Sequence, residues 1–285
     1  MIAEIGSSLV FGLLSALVLF VGWRKGFFVF VHSSWAVPVR FLHVVAVFAI
    51  YFLTTFASSA VFLSLSKKQI LVTDAIGLST WFNFITSVLI ASGLAIFLLA
   101  NKKIRQGIWR RASEPSRGMS DDIWFALFAW SIAFPLVLFF SQALELLIYS
   151  IFNIKSLPDQ VAVKFLKMTF ENPVYLLLSV TSIVVLAPIV EETLFRGFLQ
   201  TFIRQHLGSR QAVLITSALF SFFHYSSEQG LGNIPIIGSL FILALFLGYL
   251  YERQGSLIAP MALHASFNAI SVMNIYFLGG FSVGI

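Results

Sequence analysis

Residues 175–196 read YLLLSVTSIVVLAPIVEETLFR. An apolar run from Tyr175 to Val190 ends directly on two acids, Glu191 and Glu192, with Arg196 four residues beyond. Ionisable side chains are expensive in hydrocarbon, so those found inside an apolar segment mark a functional site by default. The run itself is near the ~20 residues that cross a bilayer as a helix. One stretch therefore indicates both a membrane fold and a place where chemistry is done.

The rest of the chain has the same character. It is 59% hydrophobic and 11% charged, with a mean hydropathy of +0.93, far from the balance of a soluble domain. Candidate spans fall at 4–23, 41–65, 78–100, 123–152, 174–196, 211–225, 234–251 and 257–278. The fold predicted is an all-α integral membrane bundle of about eight transmembrane helices. Its net charge of +6 reflects topology and contact with anionic lipid. No interleaved basic and aromatic surface suggests a nucleic-acid partner.

Cytoplasmic loops near span ends are enriched in Lys and Arg. The loop 101–118 carries Lys102, Lys103, Arg105, Arg110, Arg111 and Arg117 against Glu114 alone, and is placed inside. Alternation then sends Arg24, Lys25, Arg40, Arg196, Arg204, Arg210 and Arg253 to the same side, and Lys67, Lys68, Lys155, Lys164 and Lys167 to the other. Both termini fall outside, and the active site is expected to open toward the cytoplasm.

Arg24 and Lys25 follow the first apolar run instead of preceding it, unlike a cleavable signal peptide. The chain has no cysteine, which excludes disulfides, thiolate metal sites and a cysteine nucleophile. The segment 153–173, bracketed by Pro158 and Pro173, is expected to hold a short interfacial helix. It also marks the single division drawn here, N-terminal membrane helices over 1–165 and a catalytic core over 166–285.

Two further polar pairs lie in apolar sequence, FSFFH at 220–224 and HASFN at 264–268. Each has helical i, i+4 spacing: Phe220 with His224, and His264 with Asn268. Glu192 and Arg196 share that spacing, with the acid N-terminal to the base, whereas Glu191 points roughly 100° away. Arg196 is thus expected to hold Glu192 and leave Glu191 facing a cavity. Pro188 lacks an N–H and is expected to kink the helix and loosen the carbonyl of Val184. At ~1.5 Å per residue, Glu191 lies roughly 20 Å from Arg204, His224 about 21 Å from Arg210, and His264 about 12 Å from Ser256, so the three motifs reach comparable depths.

A buried carboxylate with a histidine in reach can share and deprotonate a water, giving Glu191 and His224 the nucleophile of a hydrolase. Asn268 with His264 can stabilise an oxyanion. A buried ion pair locking two helices would account for Glu192 and Arg196 but leaves the second glutamate over, while His264 and Asn268 alone would serve equally as interhelical glue. His32, His43 and His206 sit at span ends and are not placed in the site. Ser120, Asp121 and Asp122 read as a cap and acidic first turn, Gln142 and Glu145 as groups that either reach the outer interface, the reading preferred, or line a cavity, and Trp23, Trp109 and Trp124 as an interfacial belt.

The ordered pattern EExxxR, FxxxH, HxxxN, each in an apolar helix over about 174–275, resembles the CPBP family of intramembrane proteases. That family takes in the CAAX prenyl endopeptidases, the bacteriocin-processing enzymes and the Abi-type relatives. The resemblance implies an intramembrane endopeptidase acting on a peptide or protein substrate, prenylated or otherwise membrane-associated. It implies Glu191 as general base, His224 as its partner, His264 and Asn268 as oxyanion hole, and Glu192, Arg196 and Phe220 in support. No cofactor is expected. A metal-dependent version of the same protease would place a divalent ion such as zinc on Glu191, Glu192, His224 and His264, although HExxH is missing. The alternative of another class is a non-proteolytic immunity, transport or peptide-binding membrane protein.

Overall fold

The computed structural model describes residues 2–29, 37–67, 74–109, 118–154, 156–278. The described residues are helical almost throughout: α1 Ile2–Arg24, α2 Phe41–Lys67, α3 Ala75–Ala100, α4 Lys102–Trp109, α5 Met119–Phe152, α6 Val161–Met168, α7 Pro173–Leu207, α8 Ser209–Phe222, α9 Asn233–Gln254 and α10 Ile258–Leu278. Seven of these are long and apolar enough to cross a membrane. The eighth expected span, 211–225, is α8 with 14 residues, about 21 Å of helix against the ~30 Å of a hydrocarbon core. It enters from one side and stops part-way, which leaves His224 at its inner end.

From that point the chain climbs to the far surface through residues 223–232, part of them a 3-10 turn over Ser227–Gly232. Non-helical backbone at membrane depth is tolerated where it is buried in protein or lines a wet cavity. His224, Ser226 and Gln229 of this segment line a cavity, and Gln229 and Gly232 are buried, while Tyr225 and Glu228 are exposed. Asn233 holds the segment with its side chain, accepting from the Ser226 N–H at 3.0 Å and donating to the Ser226 and Gly230 carbonyls at 2.7 and 3.0 Å.

The centre of the bundle is α5, which packs against α1, α9 and α10, while α3 packs against the first half of α7. The division at 165 is thus crossed by close packing on both sides of it. The short helix expected between 153 and 173 is α6. The cap of α5 is Gly118 instead of Ser120: the Asp121 carboxylate accepts the Gly118 N–H at 2.6 Å. Trp23 and Trp124 lie exposed on the outer surface, as a membrane belt requires. His32, Lys68, Arg110, Arg111, Glu114, Arg117 and Lys155 fall outside the described residues.

Asn172 caps α7, accepting from Val174 N at 3.0 Å, and Pro173 occupies the first helical position, where its missing N–H costs nothing. Two π-helical segments, Ser182–Leu186 and Thr193–Gln200, flank Ala187–Glu192. In the first, the Ala187 N–H reaches back five residues to Ser182 O. The next amide in that pattern belongs to Pro188 and carries no hydrogen, so the Ile183 carbonyl is the one left over. Asn268 Nδ2 supplies it at 2.8 Å. This corrects the expectation for Val184, which assumed an i to i−4 ladder, and π-bulges of this kind recur at functional sites.

Candidate active site

Glu192 and Arg196 are both fully buried and paired at 3.1 Å. Arg196 also donates to Ala244 O at 3.2 Å on α9, and its guanidinium lies 4.5 Å from the centre of the Phe220 ring. Phe220 is therefore more than a neighbour of His224. Its ring also packs against both imidazoles, with centroids 4.9 Å from His224 and 5.9 Å from His264.

The two histidines are oriented from behind. His224 Nδ1 lies 2.9 Å from Phe220 O, and a carbonyl only accepts, so Nδ1 carries the proton. His264 Nδ1 lies 2.8 Å from Glu192 Oε1, again an acceptor when ionised. Both rings thus turn Nε2 toward one point, and Glu191 Oε2 occupies it, 3.8 Å from His224 and 3.9 Å from His264. That oxygen is buried and without a hydrogen-bond partner. The separations are too long for direct hydrogen bonds.

Six of the seven residues singled out in the sequence, Glu191, Glu192, Arg196, Phe220, His224 and His264, meet in this cluster. Asn268 stands apart, one turn along α10 from His264, with one amide hydrogen on Ile183 O and the second free of that bond. The cluster opens on a cavity of about 530 Å³ whose wall includes His224, Ile183 and Ala187. Its far wall comes from α3, through Thr80, Asn83 and Ser87. Their spacing, polar side chains at i, i+3 and i+7 in an apolar helix, was a readable signal in a half of the chain that otherwise looks like generic spans.

A second polar system runs from the cluster to the opposite end of the bundle. Glu192, Arg196, Gln200 and Arg204 follow one another at four-residue steps on α7, opposite Ala244, Gly248 and Glu252 at the same steps on α9. Gln200 Nε2 donates to Gly248 O at 3.0 Å and to Glu252 Oε1 at 2.9 Å. Glu252 Oε2 accepts from Ser209 at 3.0 Å and lies 3.6 Å from Arg204. Gln200, Glu252 and Arg204 are all buried. Among the described residues no group of three or more His, Asp or Glu side chains is arranged to hold a metal ion.

Residues 173–270 match the family model described as type II CAAX prenyl endopeptidase Rce1-like. This Rce1-like segment runs from the first residue of α7 past Asn268, so it contains the whole cluster and the Ile183–Asn268 bond. No curated protein and no solved structure matches the chain. The Rce1-like segment and seven apolar spans together make this an integral, multi-pass membrane protein.

Proposed function

We propose that the protein is an intramembrane endopeptidase in which Glu191 activates a water for attack on a peptide carbonyl. The observation that carries this reading is the unpartnered Glu191 oxygen held between two imidazole Nε2 atoms. A water bridged there loses a proton to Glu191 as its oxygen bonds to the carbonyl carbon, and the C–N bond then breaks as the proton passes to the departing amine. His224 Nε2 accepts from the same water and sets its lone pair. With its Nδ1–H committed to Glu192, His264 donates through Nε2 when the ring carries both protons. In that state it stabilises the oxyanion, together with the second amide hydrogen of Asn268. The substrate is a peptide or protein at the membrane, and the CAAX prenyl endopeptidase description of the matching family favours a prenylated one.

The protein purified in lipid nanodiscs and given a quenched library of prenylated and unprenylated peptides tests this. Cleavage that disappears in Glu191→Gln supports it; peptide binding without cleavage by the unsubstituted protein throughout the library sinks it in favour of a binding or transport role.

A metal-dependent version has one observation in its favour. Each imidazole has Nδ1 tied to an acceptor and Nε2 presented forward, the arrangement that orients histidine ligands. Glu191, His224 and His264 would have to close up from their present arrangement to be the ligands, with Glu192 the carboxylate behind His264. Chelator-sensitive activity with stoichiometric zinc in the purified protein would select it.

We propose an orientation from the distribution of charge. The cavity lies at the bundle end formed by Asp74, Gln160 and Ser226, whereas α4 and the Arg204, Arg210 and Arg253 group lie at the other. A basic loop inside and a cytoplasmic opening would then put opposite ends of the bundle on the same side, and we propose to resolve this by the Lys and Arg distribution. The Lys and Arg distribution is the stronger, so the cavity opens on the face away from the cytoplasm.

A further inference from the structure

Three of the side chains on the wall of the 530 Å³ cavity carry polar atoms that are buried and without partners: Ser179 Oγ, Ser182 Oγ and Gln229 Oε1. A buried polar group left unpaired costs ~1–3 kcal/mol, and helical serines ordinarily relieve that cost by donating to a carbonyl one turn back. Ser179 and Ser182 stand three apart on α7, on one face of the helix that carries Glu191. Gln229 belongs to the 3-10 turn across the cavity. The same wall holds Thr80 and Asn83, and among its described residues no Lys, Arg, Asp or Glu; His224 is its one titratable group.

We infer that this cavity is the substrate's binding groove and that it takes the main chain of an internal, uncharged, extended peptide segment. Two hydroxyls three residues apart on one helix face donate to the peptide carbonyls of residues i and i+2, which point to one side of an extended chain, and an amide oxygen opposite accepts a peptide N–H, as in main-chain recognition of a strand. The volume is that of a small-ligand site, and three residues of extended chain span about 10 Å. A free C-terminal carboxylate in the groove would lose its hydration with no lysine or arginine on the wall to meet it. The terminus of a substrate therefore stays outside. This assignment rests on the reading of the Glu191 cluster as the hydrolytic centre, since it places the groove beside His224, but it is testable without hydrolysis.

The chain has no cysteine, so a single Ser182→Cys substitution in the full-length Glu191→Gln protein gives one reporter thiol. Its labelling by a small water-soluble maleimide is timed in nanodiscs with and without a tetrapeptide of alanine, valine and serine. The peptide is supplied either acetylated and amidated or with a free carboxylate. The capped peptide is expected to slow labelling by 1 + [L]/Kd, about threefold at twice its dissociation constant, and the free acid to protect several-fold less. Equal labelling in all conditions, a thiol that never reacts, or better protection by the free acid would each overturn the assignment. If Ser182→Cys does not fold, Gln229→Cys gives the same reading from the opposite wall. Loss of cleavage by the unsubstituted protein leaves this result untouched, and protection without cleavage would reject the hydrolytic reading alone.

Discussion

Glu192 and His264 are joined at 2.8 Å, carboxylate Oε1 to imidazole Nδ1, across two helices 72 residues apart in sequence. The same oxygen holds Arg196 at 3.1 Å. Glu192 is thus a hub that fixes a charge on one side and a ring orientation on the other. Glu192 pairs with Arg196 and Glu191 faces the two histidines, the placement that helix geometry expects, and Glu192 contacts more than the arginine.

Glu191→Gln is expected to leave melting unchanged and to slow turnover by a factor on the order of hundreds or more, the scale of losing a general base. Arg196→Gln and Glu192→Gln break a fully buried pair, and each is expected to destabilise by about 3–5 kcal/mol. They part in turnover. At a temperature where both remain folded, Arg196→Gln keeps the carboxylate behind His264 and retains more activity than Glu192→Gln. Melting curves and single-turnover rates for the three variants check this, and equal turnover for the two would remove the orienting role from Glu192.

Asn268 has a structural task that is separable from catalysis. Asn268→Ala leaves the Ile183 carbonyl without its donor and is expected to cost about 1–3 kcal/mol. Pro188→Ala restores an N–H at the position that the i to i−5 pattern requires, so the cost of Asn268→Ala should fall by about 1 kcal/mol or more in that background. A double-mutant cycle in denaturant measures the coupling. Additive effects would mean that Asn268 does not serve the gap left by Pro188.

The spans were legible because apolar run length is a one-dimensional property, and the cluster because its members repeat at i, i+4 inside such runs. The half-crossing of α8 was not, since FSFFH continues the apolar pattern and only the end of helical hydrogen bonding stops it. The groove was missed for another reason. Thr80, Asn83 and Ser87 acquire meaning only once α3 is known to face α7, and no local pattern gives that pairing. The stripe Glu192, Arg196, Gln200, Arg204 was visible in the sequence, whereas its partner Glu252 had to be found on another helix.

Gly248 on α9 packs against Gln200 of α7 and Val213 of α8. A Cβ there would come within 2.8 Å of Gln200 Oε1 and 3.1 Å of Val213. Gly248→Ala is expected to destabilise by about 1–3 kcal/mol through displaced packing. Removing the obstructing amide with Gln200→Ala should recover part of that loss, read as melting temperature in one detergent. No recovery would place the strain at Val213.

At the cavity end Tyr175 donates its hydroxyl to Asp74, which also caps α3 by accepting from Gly77 N at 2.7 Å. The tyrosine hydroxyl, followed by the Gly77 N–H, holds the Asp74 carboxyl below its ordinary value of 3.8. A lowered folded value means that the contribution is complete above the ordinary carboxylate range and is lost as pH falls through the lowered one. The melting difference between the unsubstituted protein and Asp74→Asn is therefore expected to be flat from about pH 5 to pH 8 and to shrink below about pH 4. A difference that grew on acidification would reverse the sign and reject the clasp.

The cavity and the basic end sit at opposite termini of the same helices, and this gives a test of orientation that needs no substrate. α3 begins near the cavity at Ala75 and ends at Ala100 beside α4, and α9 begins at Asn233 and ends at Gln254 beside Arg204. Arg105→Cys on α4, half-buried, and Glu228→Cys, exposed in the turn before α9, each give a single thiol in a cysteine-free chain. In sealed, oriented cells an impermeant maleimide is expected to label Glu228→Cys from outside and Arg105→Cys only after permeabilisation. The reverse pattern would turn the groove to the cytoplasm and make the basic loop an exception to the charge rule. Labelling of both from one side would break the helix directions on which the site itself is built.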